Sequence, residues 1–368
     1  MLIRDGIPGL EGVAYLNAGT NGPLPSAAAD AMRARAAVEE RGPRSGMPYF
    51  QEFLALRDRV RGSLAEVLGT SPDRVALTSS TTQGIGLVMA GIDWATGDEV
   101  VTTTEEHPGI TSPLDVLARR FGVAVHAVDA DEVLDAIAPT TKMVALSHVL
   151  WTTGKVLDMA VVSARAHDVG ALVLADGAQG PGNIAVDPAA LGVDFYACSG
   201  QKWLLGPNGS GALWVSAEAL DRVWPATSGY LSLEGGEVGH FKPTTARLDA
   251  GTIDPVTLAG LNASLEWVAS LPGGRAAWTQ RAHAQAAAVR AALAEIPGVT
   301  VGETGGAESC LVACSVDGIA CEDVAAGLAE RGVLVRFIPH TPWMRVSVGA
   351  WTSDDDVERL IDGVRAAA

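Results

Sequence analysis

The segment Leu172-Val-Leu-Ala-Asp-Gly-Ala-Gln179 and, nineteen residues past its last strand residue Ala175, Asp194-Phe-Tyr-Ala-Cys-Ser-Gly-Gln-Lys-Trp203 decide the fold. Each is a short apolar run of strand length that breaks into polar and glycine residues, as a buried strand does where it opens onto a loop. Outward from this pair the pattern repeats. Strands are predicted at Arg74–Thr78, Glu99–Thr103, Val123–Val128, Met143–Ser147, Leu172–Ala175, Asp194–Cys198 and Ala212–Val215. Between them lie helical spacings at Gln83–Gly91, Ser112–Phe121, Asp131–Ile137 and Met159–His167. Alternation of this kind is the mark of βαβ units on a mainly parallel sheet, here of seven strands, and so of an α/β fold. The Gly-, Thr- and Ser-rich stretch Gly229–Gly251 reads as an irregular connection.

From Pro255 the pattern changes to two Ala-rich helices, Leu258–Ser270 and Gly274–Ile296. Weak strands follow near Val299, at Leu311–Val316, Leu334–Phe337 and Arg345–Val348, and a last helix spans Asp354–Ala367. A chain of 368 residues exceeds what a single core usually holds, so two domains are expected. We place a large one at 16–254 and a smaller α+β one at 255–368 joined by residues 1–15.

The net charge of −17, from 43 acidic against 26 basic residues with no basic run, disfavours nucleic acid as a partner. No apolar run reaches the ~18 residues that span a bilayer, and Met1–Asp5 lacks the regions of a signal peptide, so a cytoplasmic location is expected. With only Met1–Gly12 ahead of the first predicted segments, no appended DNA-binding segment is expected. Cys198, Cys310, Cys314 and Cys321 have neither disulfide-framework nor metal-site spacing; reduced thiols and no metal are expected.

In open α/β sheets ligands sit beyond the carboxyl ends of the strands. At those ends stand Thr78-Ser-Ser-Thr-Thr-Gln83, Glu105-Glu-His107, Asp176-Gly-Ala-Gln179 and Ser199-Gly-Gln-Lys202. Each also has an ordinary structural use, as a helix cap or a satisfied histidine. Together they meet the demands of pyridoxal 5′-phosphate (PLP). A carboxylate such as Asp176 keeps the pyridine nitrogen protonated. A buried amine such as Lys202 forms a Schiff base and exchanges protons at Cα. Thr81, Thr82 and Gln83 at a helix start, with Ser199, supply phosphate donors. His107 can stack on the ring, and Gln179 can bond its hydroxyl.

Ala175-Asp-Gly-Ala-Gln179 and Ser199-Gly-Gln-Lys-Trp203 through Gly206-Pro-Asn-Gly-Ser-Gly211 resemble the hallmark of the class V aminotransferases, PLP enzymes of fold-type I. The likeness runs from Tyr15-Leu-Asn17 to Arg345-Val-Ser-Val-Gly349. Glu106-His-Pro-Gly-Ile110, Leu146-Ser-His-Val-Leu-Trp-Thr-Thr-Gly154 and Gly91-Ile-Asp-Trp94 are most similar to the cysteine/cystine C–S lyase and isopenicillin-N-epimerase-like branch. The resemblance implies that Lys202 carries the cofactor, His107 stacks on it, Asp176 meets the ring nitrogen and Gln179 the ring oxygen. Thr81, Thr82 and Ser199 would bind phosphate, and Thr252 would reach the phosphate of a neighbouring subunit, so that a homodimer shares its two sites. Arg345 resembles the clamp on the substrate carboxylate; its ordinary alternative is an ion pair with Asp354–Asp356. Asn17, Trp151, Thr152 and His340 are further substrate-pocket candidates. The family usually has His before the lysine. Here Gln201 stands there, able to donate to phosphate but not to add charge.

A cysteine desulfurase needs a nucleophilic cysteine shortly before Arg345, and Arg336-Phe-Ile-Pro-His-Thr-Pro-Trp343 has none. The expected reaction is therefore β-elimination from an S-substituted cysteine or cystine-type amino acid, giving a thiol or persulfide, pyruvate and ammonia. Similar proteins act on cysteine conjugates in secondary metabolism. There the alternatives are decarboxylation-coupled oxidative deamination, transamination or epimerisation.

Overall fold

The computed structural model describes residues 3–249, 251–305 and 309–368. Its strands are β1 (Ala14–Tyr15), β2 (Val75–Thr78), β3 (Glu99–Thr103), β4 (Ala124–Val128), β5 (Thr141–Ser147), β6 (Leu172–Asp176), β7 (Phe195–Ser199), β8 (Gly211–Val215), β9 (Val299–Val301), β10 (Leu311–Val316), β11 (Val333–Leu334), β12 (Arg336–Phe337) and β13 (Met344–Ser347). The helices are α1 (Ser26–Arg41), α2 (Gly46–Val67), α3 (Thr81–Gly91), α4 (Pro108–Phe121), α5 (Val133–Ala136), α6 (Met159–Asp168), α7 (Pro255–Ser270), α8 (Gly274–Ala294), α9 (Cys321–Glu330) and α10 (Asp354–Ala367).

The large sheet has seven strands in the order β2-β8-β7-β6-β5-β3-β4. Only β8 runs against its neighbours, pairing antiparallel with both β2 and β7. The mainly parallel α/β sheet expected from the sequence is thus present, with strand ends within two residues of those read. A sheet covered by helices on both faces should show continuous apolar burial rather than alternation. Strands β2, β6, β7 and β8 are buried at every residue, and the apolar residues of the sheet feed two core clusters. Strand β4, at the edge, is mostly exposed.

The helices α1 and α2, which the sequence reading did not mark, fill the span before β2. They pack against α7, whose Leu258, Leu261 and Leu265 belong to the same core as Leu64 of α2 and Leu204. The second sheet, β12-β13-β10-β9, is antiparallel throughout and has its own core with α9 and α10. The single strand read at Leu334–Phe337 is two: β11 pairs with β1, and β12 turns to pair with β13. A parallel bridge between Asn17 and Ser347 carries the N-terminal segment onward toward the carboxyl ends of the large sheet.

At those ends Gly211 sits where β7, β8 and β2 converge. A Cβ there would lie 2.6 Å from the Cys198 carbonyl and 2.9 Å from Thr78 Oγ1, so the three strands close only around glycine.

Candidate active site

The ends of β2, β3, β5, β6 and β7 open onto one cavity of about 240 Å³, lined by Ser80, Thr81, Thr82, His107, Trp151, Asp176, Gln179, Ser199, Gln201, Lys202, Arg336 and Arg345, with Gly19 and Thr20. Lys202 and Asp176 therefore share one space.

At one end stand hydroxyls. Ser80 ends its strand-to-helix loop in an extended conformation and caps α3, its Oγ accepting from Gln83 N at 3.1 Å. That cap leaves the first-turn hydroxyls of Thr81 and Thr82 to face the cavity. Thr81 Oγ1 lies 2.5 Å from Ser199 Oγ, drawing the starts of α3 and the β7 loop together. A helix N-terminus with three hydroxyls is a ready anion site.

Asp176, 4% exposed, forms the floor. Its Oδ1 accepts from Ala178 N at 2.8 Å, and burial pushes its carboxyl above the usual range against the pull of that bond and of Lys202. A carboxyl so placed gains from a cationic partner. Lys202 is pushed down to about 8, first by burial, with Arg345 adding repulsion and Asp176 opposing. The turn that presents it is tight: Leu205 N donates to the Lys202 carbonyl at 3.1 Å, and Leu205 takes a left-handed φ of 57°. Gly22 packs on that turn, donating to the Gln201 carbonyl at 2.7 Å; a Cβ on it would fall 2.1 Å from the Lys202 carbonyl.

The ring of His107 caps α4 through Nδ1, which accepts from Gly109 N at 2.9 Å, and it meets Trp151 edge-on at 5.0 Å. Burial, then Lys202, Arg345 and Arg336, hold it down to about 4. It is thus a neutral ring at physiological pH. Gln179 is fixed from both sides, its Nε2 donating to Gly19 O at 2.8 Å and its Oε1 accepting from Trp203 Nε1 at 2.7 Å.

At the far end Arg345, 2% exposed, donates to Trp151 O at 2.8 Å and Thr20 Oγ1 at 3.3 Å. Burial and Arg336 bring it down to about 9. Its sequence alternative, an ion pair with Asp354–Asp356, does not form: Asp356 instead pairs with Arg4. Arg336 is opposite Arg345 in the β12–β13 register and enters the same cavity. Two guanidiniums and an amine against one carboxylate make the cavity electropositive, as phosphate and substrate carboxylate require.

Other expected residues lie outside it. Gln83 turns its side chain back to accept from Ser79 N, and Thr152 is buried, donating to Glu105 Oε2. Asn17 accepts from Thr20 Oγ1 and so borders the site indirectly. His340, with a left-handed φ of 64°, lines a separate groove shared with Cys321. Thr252 is exposed, 3.3 Å from the Tyr230 hydroxyl. The sequence reading missed Gly19, Thr20 and Ser80 as lining residues. It also missed Arg336, which a two-residue strand carries without any periodic signal.

The donor set fits PLP: hydroxyls for phosphate at one end, a buried carboxyl beneath, an amine beside it. Gln201 is the exception in detail, since its Oε1 is buried without a hydrogen-bond partner among the described residues.

A family model described as Aminotransferase class-V matches residues 14–360. A probable cysteine desulfurase of Pseudomonas aeruginosa is 31% identical, over 95% of this chain and 92% of its own. The isopenicillin N epimerase of Streptomyces clavuligerus is 28% identical, over 96% of this chain and 94% of its own. Among solved structures, the cystine C–S lyase C-DES in complex with its product cysteine persulfide superposes with a TM-score of 0.91 at 28% identity, covering 98% of this chain and 99% of the other. A second C-DES structure, with glycine covalently linked to its PLP cofactor, gives 0.92 at 28% identity, covering 99% of each chain. By the extent of the family match, the chain belongs to the class V aminotransferases.

Proposed function

We propose that this enzyme is a PLP-dependent carbon–sulfur lyase that performs β-elimination on an S-substituted cysteine or cystine-type amino acid. With water consumed, the products are a thiol or persulfide, pyruvate and ammonia. The observation that carries the reading is a cavity holding Lys202, Asp176 and Arg345 together with no thiol among its lining residues. Sulfur transfer to the protein would need one. Cys198 and Cys314 are buried and pushed up to about 12, Cys310 is buried, and Cys321 opens onto the separate groove.

Bound PLP supplies an electron sink for the pair left when a Cα bond breaks. The chain's residues do the rest. Arg345 orients the substrate by a two-pronged contact with its α-carboxylate. Lys202 Nζ, its pKa lowered by burial, takes the Cα proton and returns it to the departing sulfur. Asp176 would keep the ring nitrogen protonated, and the neutral His107 ring would stack on the cofactor. Arg336 faces the substrate end, where the second carboxylate of a cystine-type molecule would lie. The exposed Thr252 is proposed to serve the neighbouring active site of a homodimer in the cytoplasm. Among the described residues no helix is long and apolar enough to cross a membrane.

Incubation of purified holoenzyme with cystine and with S-alkylcysteines, with pyruvate, ammonia and thiol measured together, tests the reading. Equal yields of all three are expected. Release of alanine with a persulfide left on the protein would overturn it. Similarity to an epimerase over nearly the whole chain favours one second reading, and the same mixture run on a chiral column reports it.

Arg345→Lys should raise KM about tenfold or more with a smaller loss in kcat, because an ammonium cannot contact both carboxylate oxygens while also replacing the bonds to Trp151 and Thr20. Steady-state kinetics check this.

A further inference from the structure

Next to the cavity-lining His107 stands a second buried carboxyl that the reading above does not use. Glu106, 7% exposed, follows β3 and precedes the His107 ring. Its Oε1 accepts from Thr103 Oγ1 at 3.0 Å and from Ser147 N at 2.9 Å, and its Oε2 meets Ser147 Oγ. It thereby ties the end of β3 to the end of β5. Ser147 in turn stands opposite Asp176 in the β5–β6 register, and His148 N donates to the Asp176 carbonyl at 2.9 Å. One side chain thus spaces the strand that delivers His107 from the strands that deliver Asp176.

We propose that Glu106 is a positioning residue that works with a proton held on its carboxyl, bonded to Ser147 Oγ, leaving Asp176 as the one negative charge of the floor. The inference rests on the PLP reading. Two ionised carboxylates in one desolvated floor would repel, and the proton removes that repulsion. Burial, then Asp176, push Glu106 up to about 7 against its three hydrogen bonds. Asp176, raised by burial but drawn down by Ala178 N and by Lys202, is the other carboxyl of the cluster, and the remaining titratable groups do not compete for the proton. His107 and His148 are both held neutral at about 4 by burial, and the Glu105 carboxyl is engaged by Thr152. His148 Nδ1 lies 3.0 Å from the Tyr196 hydroxyl. A protonated Glu106 donates to Ser147 Oγ through Oε2 while Oε1 keeps both acceptor bonds, which turns the Ser147 hydroxyl proton away from the clamp.

The test uses Glu106→Gln and Glu106→Ala, with cofactor dissociation constants read by spectral titration and wild-type pH-difference infrared spectra. The amide keeps the shape of the protonated acid, with one carbonyl acceptor and a donor group in place of the hydroxyl. Glu106→Gln should bind PLP within about threefold of wild type, and Glu106→Ala should bind about tenfold or more weakly. The wild type should show a protonated-carboxyl C=O band that fades between about pH 6 and about pH 8, and Glu106→Gln should lack it. If Glu106→Gln binds as poorly as Glu106→Ala, an ionised carboxylate is required and the proposal fails. It fails equally if Glu106→Ala binds like wild type, or if the infrared band is absent from the wild type. Should Glu106→Ala not fold, the Gln variant and the infrared band still decide. Because the band belongs to the apoprotein as well, a wild type that shows it but takes up no PLP sinks the cofactor reading and not the held proton.

Discussion

Lys202→Ala should bind PLP without the covalent link, lose the visible absorption of the purified enzyme, and turn over about 10²- to 10⁴-fold more slowly. In the proposed reaction two functions sit on its one nitrogen. As a nucleophile toward the cofactor aldehyde it must be neutral part of the time. An ordinary lysine is roughly 0.03% neutral at pH 7, whereas one at about 8 is roughly 10% neutral. The burial that lowers its pKa thus raises the reactive fraction by more than two orders of magnitude. Cofactor capture by the apoprotein should accordingly quicken about tenfold per pH unit up to about 8 and then level off. As acid and base at Cα and the leaving sulfur, the same nitrogen contributes a factor that positioned proton transfer puts at about 10² to 10⁴. Added small primary amines should restore part of the proton transfer in Lys202→Ala, since the cavity they enter is the space that the side chain vacates. Absorption spectra and single-turnover rates check these points. A variant that keeps the visible band would place the covalent link elsewhere.

How much of this was written in the sequence follows from which residues carry periodic signals. The large sheet was legible because strands buried on both faces must be continuous apolar runs, and β6 and β7 are that and nothing else. The cavity-lining residues at their tips followed, since polar side chains such as Asp176 and Lys202 at the ends of apolar strands stand out. The helices α1 and α2 were illegible for the opposite reason. Much of α1 is Ala, Arg and Glu with few buried positions, Ala28 and Arg35, so no apolar stripe marks it. Residues brought in by long-range pairing were equally silent. Thr20 reaches the site because the N-terminal segment bridges to Ser347, and Arg336 because β12 turns onto β13. Thr152 and Trp151 share a loop and both donate to Glu105, yet only the Trp151 ring also lines the cavity, a difference that no sequence pattern encodes.

Gln201 shows where geometry sharpens a sequence observation. Its amide lies in the cavity wall beside Ser199, with Oε1 buried and unpartnered among the described residues, while the nearby donors Ser80, Thr81 and Thr82 are all uncharged. The cationic groups of the cavity are Lys202, Arg345 and Arg336, and the proposed chemistry engages each of them elsewhere. Anion binding at the hydroxyl end then falls to neutral donors and the α3 N-terminus, which are adequate for phosphate through directed hydrogen bonds.

The second large effect is expected at Asp176→Asn, which should retain cofactor while losing about 10- to 1000-fold in turnover. An opposite charge within a few ångströms shifts a pKa by about 1 to 3 units, and each unit is tenfold in the protonated fraction. The amide keeps the size of the side chain and can keep the Ala178 N bond to its oxygen, so the floor should not collapse. Its effect on stability should run the other way. A buried carboxyl whose folded value lies above the ordinary 3.8 favours the fold when protonated, and that advantage is lost as pH rises through the folded value. The apoprotein therefore carries the cost of ionising Asp176 once the pH passes its raised folded value, and Asp176→Asn removes that cost. The variant's apoprotein should melt at the same temperature as wild type or higher, with a flatter dependence on pH, while its holoenzyme is slow. Thermal melts of both forms and steady-state rates separate the two effects. A variant that is both unstable and slow would make Asp176 a structural residue, and one with near-normal rates would mean that the ring nitrogen does not depend on this carboxylate for its proton.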